Sequence, residues 1–309
     1  MKIIFEDFEK IKNLKIRSIT VGSFDGIHKG HIRIIKELEK EKPNMLITFS
    51  PHPKIFIESK KDFLLTTEEE KIKIFENFDI DYLLFLKFNE SFKNLSYREF
   101  LFKVKEKFSP SKWIVGPDHF FGKERKGNTH KLWKFCIENG IALIVLPYEK
   151  FENKKISSSL LRNILKKGEV EKYFKLTGRN YEIIGEVIEG KKIGRKIGFP
   201  TANIKIKEEK ILPKEGVYAG EVFYKNKIYR AGISVGENPT FGGEKRNLEI
   251  YIMDFSENIY GEKLKVIFKK FLREKEKFEI IEDLKRKIRE DIEKIKEVSY
   301  GKSLETKNN

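Results

Sequence analysis

The fold class this sequence predicts is α/β plus β-rich: a unit built on a parallel sheet, then an antiparallel β-barrel with a long terminal helix. Three observations predict it. Strand-like apolar runs alternate with segments of helical period as far as Leu176. From Tyr181 the texture changes to short strands separated by glycine turns. The last periodic stretch, "FEIIEDLKRKIREDIEKIKEV", is too long for a strand and reads as an amphipathic helix.

The elements follow in order. "KIRSITVGSF" reads as a buried strand, and "HIRIIKELEKE" follows at helical spacing with Ile32, Ile35 and Leu38 on one face. "NMLITFS" is a second strand running into the turn "SPHP". "TTEEEKIKIFENF" opens with threonine and a cluster of acids, as helix N-termini do. "DYLLFLKF" and "KWIVGPD" read as strands on either side of the helical "SYREFLFKVKEKF". "HKLWKFCIENG" ends at Gly140, and "IALIVLP" is an apolar strand. Short helices in "SSSLLRNILKKGEVEKYFKLTGRN" close the pattern. "YEIIGEVIEG", "GVYAGEVFY", "KIYRAGISVG" and "NLEIYIMDF" supply the strands of the second unit. The expected domains are 1–178 and 179–301, with a polar tail over 302–309.

The chain has 309 residues, with 64 Lys plus Arg against 48 Asp plus Glu, a formal charge of +16. Two readings fit that balance: a nucleic-acid binder, or a lysine-rich surface that favours anionic ligands in general. The lysines are spread along the chain and mixed with glutamates, as in "EEEKIKIF" and "LREKEKFE", which reads as solvated helix faces. That favours a small anionic ligand, with no nucleic-acid partner. Cys136 is the only cysteine, so neither an intramolecular disulfide nor a cysteine zinc site can form. No apolar run reaches bilayer length, and the start lacks a signal-peptide pattern. A cytoplasmic location is the expectation; oligomeric state is not legible.

"TVGSFDGIHKGH" carries the first chemistry. A strand ends near Ser23 and a helix begins near His31, and ligands of open α/β sheets sit beyond the carboxyl ends of strands. Gly22, Gly26 and Gly30 allow close backbone approach. His28 and His31 are spaced to share one side of a helix start, where phosphate is already favoured. Two imidazole donors there can stabilise charge on a transferring phosphoryl group. A glycine turn with incidental histidines, or a metal pair, fits the same residues. The pattern Gly-x-Phe-Asp-Gly-x-His-x-Gly-His, which includes Phe24 and Asp25, resembles the signature of the nucleotidyltransferase superfamily. "ISSSLLRNILKKG" puts Ser157, Ser158 and Ser159 before a helix with Arg162 in its first turn, a cap or a triphosphate cradle. It resembles the Ile-Ser-Ser-Thr…Arg motif of bacterial FAD synthetases, with Ser159 at the threonine position. "VGPDHFFGKERKG" resembles that family's Gly-x-Asp-Phe-x-Phe-Gly segment: Asp118, Phe121 and Gly122 match, and His119 replaces a phenylalanine. Such a loop either packs a ligand ring or is anchored in the core by its aromatics. "TFSPHP" also resembles the family, with His52 either lining the nucleotide site or riding a turn stiffened by Pro51 and Pro53.

"GKKIGRKIGFPTANI" carries the second chemistry. Its first part, with Gly194, Arg195 and Gly198, is a basic glycine-rich loop able to face phosphate. After Pro200 the chain should be extended, so Thr201 and Asn203 share a face and offer hard oxygens to magnesium. A β-turn followed by a water-facing strand fits equally. The string resembles the riboflavin kinase motif closely. The resemblance implies that Thr201 and Asn203 bind magnesium-ATP and that a downstream acid, Glu249 in "NLEIYIMDF", is the general base. A salt-bridged or edge-exposed glutamate is the alternative. "GISVGENPTFGG" resembles the family's Asn-x-Gly…Pro-Thr-Phe turn, with Ser234 in place of asparagine.

Both motif sets, in this order, resemble the bifunctional bacterial riboflavin kinase/FMN adenylyltransferases. The resemblance implies a Rossmann-like nucleotidyltransferase domain followed by a kinase barrel. It implies ATP, riboflavin and FMN as small-molecule partners, Mg2+ with ATP, FMN and FAD as products, and no membrane partner.

Overall fold

The computed structural model describes residues 1–190, 193–238 and 245–298. It divides into two compact units, Met1–Ser158 and the chain from Ser159 onward. The expected tail 302–309 and the end of the second domain, 299–301, lie outside the described residues.

In the first unit the elements run β1 (Lys2–Glu6), β2 (Ser18–Val21), α1 (Lys29–Leu38), β3 (Asn44–Ser50), α2 (Pro53–Glu58), α3 (Glu68–Phe75), β4 (Tyr82–Lys87), α4 (Glu90–Lys93), α5 (Tyr97–Phe108), β5 (Lys112–Val115), α6 (Thr129–Glu138), β6 (Ala142–Val145) and the short pair β7 (Lys150–Phe151) and β8 (Lys154–Lys155). The six-stranded sheet has the order β1-β4-β3-β2-β5-β6, and every pairing in it is parallel. Its strands are near-continuous apolar runs because both faces are covered. Met45, Ile47, Leu84, Leu86, Trp113 and Val115 pack into one cluster. Leu46, Leu83, Phe85 and Ile114, from alternate positions of the same strands, pack into the other. The expected parallel α/β unit is therefore present.

Helix starts are locally encoded. α3 has a capping box between Thr67 and Glu70, and α5 one between Ser96 and Glu99. Two features differ from expectation. β1 was not foreseen: "KIIFE" is a short, largely exposed edge strand that exists through its pairing with β4. "EEEKIKIF" is not a solvated face, because Glu70 and Lys71 are buried.

α7 (Ser158–Lys166) starts at the division between the units, followed by α8 (Val170–Thr177). The strands β9 (Tyr181–Ile188), β10 (Ala202–Lys205), β11 (Gly216–Tyr224), β12 (Lys227–Asn238), β13 (Lys245–Ile252) and β14 (Lys263–Arg273) close into an antiparallel barrel of order β10-β13-β12-β11-β14-β9. A short helix, α9 (Ile193–Lys196), interrupts the chain between β9 and β10, and α10 (Ile281–Glu297) is the expected terminal helix. In β12 and β13 the opposed residues Ile233 with Ile250 and Val235 with Leu248 are buried, so the alternate row faces outward. β14 was not read from the sequence, although Leu264, Val266 and Phe268 keep the two-residue period of a buried face. α10 is held to the barrel by Ile295, which lies against Gly232, and by Arg273, which donates to the buried Asp291 carboxylate at 2.8 to 3.1 Å.

Candidate active sites

Sheet order sets the first site. Chain progress reverses between β2 and β5, so the crevice beyond their carboxyl ends is the topological switch point. The loop carrying Gly22–His28 leaves β2 there, and the loop carrying Asp118 leaves β5.

His28 is the N-cap of α1: its Nδ1 accepts from the His31 backbone N–H at 3.3 Å. A neutral imidazole that accepts at Nδ1 carries its proton on Nε2, which makes Nε2 a donor. The rings of His28 and His31 stack with centroids 3.8 Å apart, and Phe24 meets His31 edge-on at 5.1 Å. The loop's backbone is unusual. Phe24 and Ile27 adopt φ of 44° and 35°, and Gly26 adopts 79°, where it costs little. Strain of this kind persists only where neighbours hold it.

Asp25 supplies part of that hold. It is buried, and its carboxylate accepts from the backbone N–H groups of Leu65 and Thr66 and from the Thr66 hydroxyl, at 3.0 to 3.2 Å. These bonds tie the loop to Leu65 and Thr66. Ser158, the first residue of α7, donates to the Asp25 carbonyl at 2.7 Å. Ser159 is exposed further along α7, and Arg162 is half-buried in the helix's second turn, one turn later than expected.

The remaining predicted residues of this unit are placed as follows. His52 caps α2, its Nδ1 accepting from Lys54 N–H at 3.1 Å, with Pro53 as the first helical residue. Asp118 accepts from the Tyr148 hydroxyl and pairs with Lys155. Phe121 is buried against Phe100 at 5.6 Å, which is the anchored-loop alternative; the ring open to solvent is Phe120, under the Arg125 guanidinium at 4.9 Å. The Phe121–Gly127 bridge turns Phe121 inward.

His119 has a consequence for stability. Burial pushes its pKa down to about 4, and its Nε2 is buried with no hydrogen-bond partner among the described residues. The unfolded chain, with an ordinary histidine, takes up a proton near pH 6.5, and the folded chain does so only near pH 4. Stability therefore falls as pH drops through that window. His119→Phe is expected to flatten this loss and to add about 1 kcal/mol at neutral pH by removing an unsatisfied nitrogen. Urea midpoints at pH 7 and pH 5 check it, and an equal pH drop in both proteins would contradict it.

In the barrel unit, pairing register builds the second site. Glu249 on β13 lies directly opposite Asn203 on β10 and Ser234 on β12. Opposed residues share a face, so all three stand on the outward row. Asn247 donates to Glu249 Oε1 at 2.6 Å, a partner that sequence reasoning did not identify. Tyr251, next on that row, meets Phe199 edge-on at 5.9 Å. Thr201 immediately precedes β10.

Two glycines come close to these polar side chains. A Cβ on Gly190 would lie 2.0 Å from Asn203 Nδ2, and one on Gly194 would lie 2.3 Å from the Phe199 carbonyl oxygen and 3.3 Å from Thr201 Oγ1. Only glycine lets the loop lie against them. Arg195, Gly198 and Pro200 are exposed along the same loop, and Gly198 has φ of +90°. Lys191 and Lys192, and the Pro239–Thr240–Phe241 turn read from the sequence, lie outside the described residues. No cluster of three metal-ligating His, Cys, Asp or Glu occurs among the described residues. The Thr201 hydroxyl and the Asn203 amide oxygen are hard oxygens, of the kind that suits a nucleotide-borne magnesium ion. No helix among the described residues is long and apolar enough to cross a membrane.

Comparison with known proteins agrees with this division. Residues 10–160 match the family model for FAD synthetase, and residues 177–299 match that for riboflavin kinase. A bifunctional riboflavin kinase/FMN adenylyltransferase of Buchnera aphidicola subsp. Schizaphis graminum is 35% identical over 96% of this chain and 98% of its own. The Bacillus subtilis protein of that description is 34% identical over 91% of this chain and 92% of its own. A solved Streptococcus pneumoniae structure, described as a macrolide-efflux protein, superposes with a TM-score of 0.87 at 29% identity, covering 97% of this chain and all of that one. With both family models matched in order and relatives aligned over nearly its full length, the chain belongs to the bifunctional riboflavin kinase/FMN adenylyltransferase family.

Proposed function

We propose that this enzyme makes FMN from riboflavin in its barrel and FAD from FMN in its α/β unit, using one ATP for each step. The observation that carries this reading is the segregation of the two constellations. His28 and His31 lie in Met1–Ser158, whereas Thr201, Asn203 and Glu249 lie beyond Ser159. We assign adenylyl transfer to residues 1–178 and the kinase to 179–301.

In the kinase step the ribityl 5′-hydroxyl oxygen attacks the γ-phosphorus of ATP, and ADP leaves. Glu249 takes the hydroxyl proton, with Asn247 holding one carboxylate oxygen and leaving the other for the substrate. Thr201 and Asn203 hold magnesium-ATP beside it, and magnesium, when bound, neutralises phosphate charge. Gly194, Arg195, Gly198 and Pro200 line the phosphates.

In the second step an FMN phosphate oxygen attacks the α-phosphorus of another ATP, and pyrophosphate leaves. His28, donating from Nε2, and His31 stabilise the charge that grows on the α-phosphate oxygens. Gly22, Phe24 and Gly26 form the turn under the phosphates, with Asp25 anchoring it. Ser158 and His52 complete the ATP site, while Asp118 and Phe121 shape the loop that borders the flavin. The partners are ATP, riboflavin and FMN, in the cytoplasm.

Incubating the protein with riboflavin and magnesium-ATP tests the reading. Chromatography is expected to show FMN first and FAD later. FMN alone would leave a kinase, and neither product would overturn the proposal.

A further inference from the structure

The loop that carries His28 is strained and leaves the carboxyl end of the central strand β2, so something has to hold it. Asp25 holds its middle from Leu65 and Thr66, and the Gly26 N–H donates to the Thr66 hydroxyl at 3.1 Å. The start of the loop is held differently. The Ser23 carbonyl accepts from the Thr48 hydroxyl at 3.1 Å and from the Lys71 ammonium at 2.7 Å.

Lys71 is only 3% exposed. It sits in the first turns of α3, whose start is clamped by the Thr67–Glu70 capping box. Burying an ammonium opposes folding, and an apolar side chain of the same length would fill the space without that cost. Lys71 therefore contributes an Nζ–H donor aimed at one carbonyl. Desolvation lowers its pKa, while Asp25 and Glu68 act in the opposite direction and favour the charged form. The same segment, residues 65–71, thus grips the loop at Ser23, Asp25 and Gly26.

We propose that Lys71 is a positioning residue for adenylyl transfer, holding the Ser23 carbonyl so that the loop presents His28 and His31 to the α-phosphate. It touches neither substrate and acts through the backbone. The inference rests on the adenylyltransferase reading above and adds a residue to that site.

The test uses the full-length protein with FMN and magnesium-ATP, and reads pyrophosphate and FAD. Lys71→Met is expected to lower kcat about 100-fold, the scale of a small misplacement of catalytic groups, with the KM for ATP changed less than about threefold. Riboflavin phosphorylation by the same preparation stays at the wild-type rate and reports folding. Because Lys71 acts through the loop that presents both histidines, adding Lys71→Met to the combined His28→Ala and His31→Ala variant costs little further activity. Lys71→Met with wild-type kcat, or with the same fold loss on that combined background, would overturn the inference. If Lys71→Met does not fold, Lys71→Gln shortens the side chain and withdraws the donor from the Ser23 carbonyl while keeping a polar end. It should lower kcat by roughly tenfold with the KM for ATP unmoved, as loss of a buried hydrogen bond does, and an unchanged kcat there overturns the inference equally. A wild-type protein that makes no FAD would instead remove the adenylyltransferase reading itself.

Discussion

His28→Ala is expected to reduce FAD formation from FMN by about 10²- to 10³-fold, the scale of removing one preorganised donor from a developing oxyanion. FMN formation from riboflavin continues at the wild-type rate. The first effect follows from the proposed role: His28 caps α1 through Nδ1, and in the neutral ring that places the proton on Nε2. The substitution also removes a helix cap worth about 1 kcal/mol, which is small beside the loss of activity. His31→Ala should act in the same direction, since the two rings stack at 3.8 Å and each orients the other. The second effect follows from the barrel's separate core and separate donors. Initial rates of FMN and FAD appearance check both, and parallel loss of the two activities in a folded mutant would count against separate sites.

Glu249→Gln is expected to have the opposite profile. Riboflavin phosphorylation should fall by about 10²- to 10⁴-fold, the usual contribution of a positioned base. Added FMN should still be adenylylated normally. Glutamine keeps the size and the hydrogen bond from Asn247, so the fold is expected to persist. Its amide cannot take the hydroxyl proton. A kinase rate within a few-fold of wild type would remove Glu249 as the base and leave it as a polar member of the outward row.

How far the sequence speaks depends on whether a feature is local. The capped helix starts at Thr67 and Ser96 are encoded within four residues, and the alternation of strands and helices is visible along the chain. The order β1-β4-β3-β2-β5-β6 is not, because it rests on pairings between distant strands. The same limit applied to Lys71. In "EEEKIKIF" it looks like a solvated lysine, and only the approach of the Ser23 carbonyl explains its burial. At the sites, residue types were legible and their use was not. Asp25 stood in a ligand-binding pattern, but its carboxylate is occupied by the Leu65–Thr66 backbone. Phe121 stood in an aromatic loop, but packing against Phe100 turned it inward. Glu249 and Asn203 were singled out separately, and register alone makes them neighbours.

The central claim is that one chain carries two different phosphorus chemistries. Labelling ATP at the γ-phosphate and at the α-phosphate in separate reactions with riboflavin tests it most directly. The account predicts that FMN acquires only the γ-label, while FAD carries the γ-label on its FMN half and the α-label on its AMP half. A flavin product that never acquires the α-label, or an α-labelled flavin whose FMN half lacks the γ-label, would contradict it.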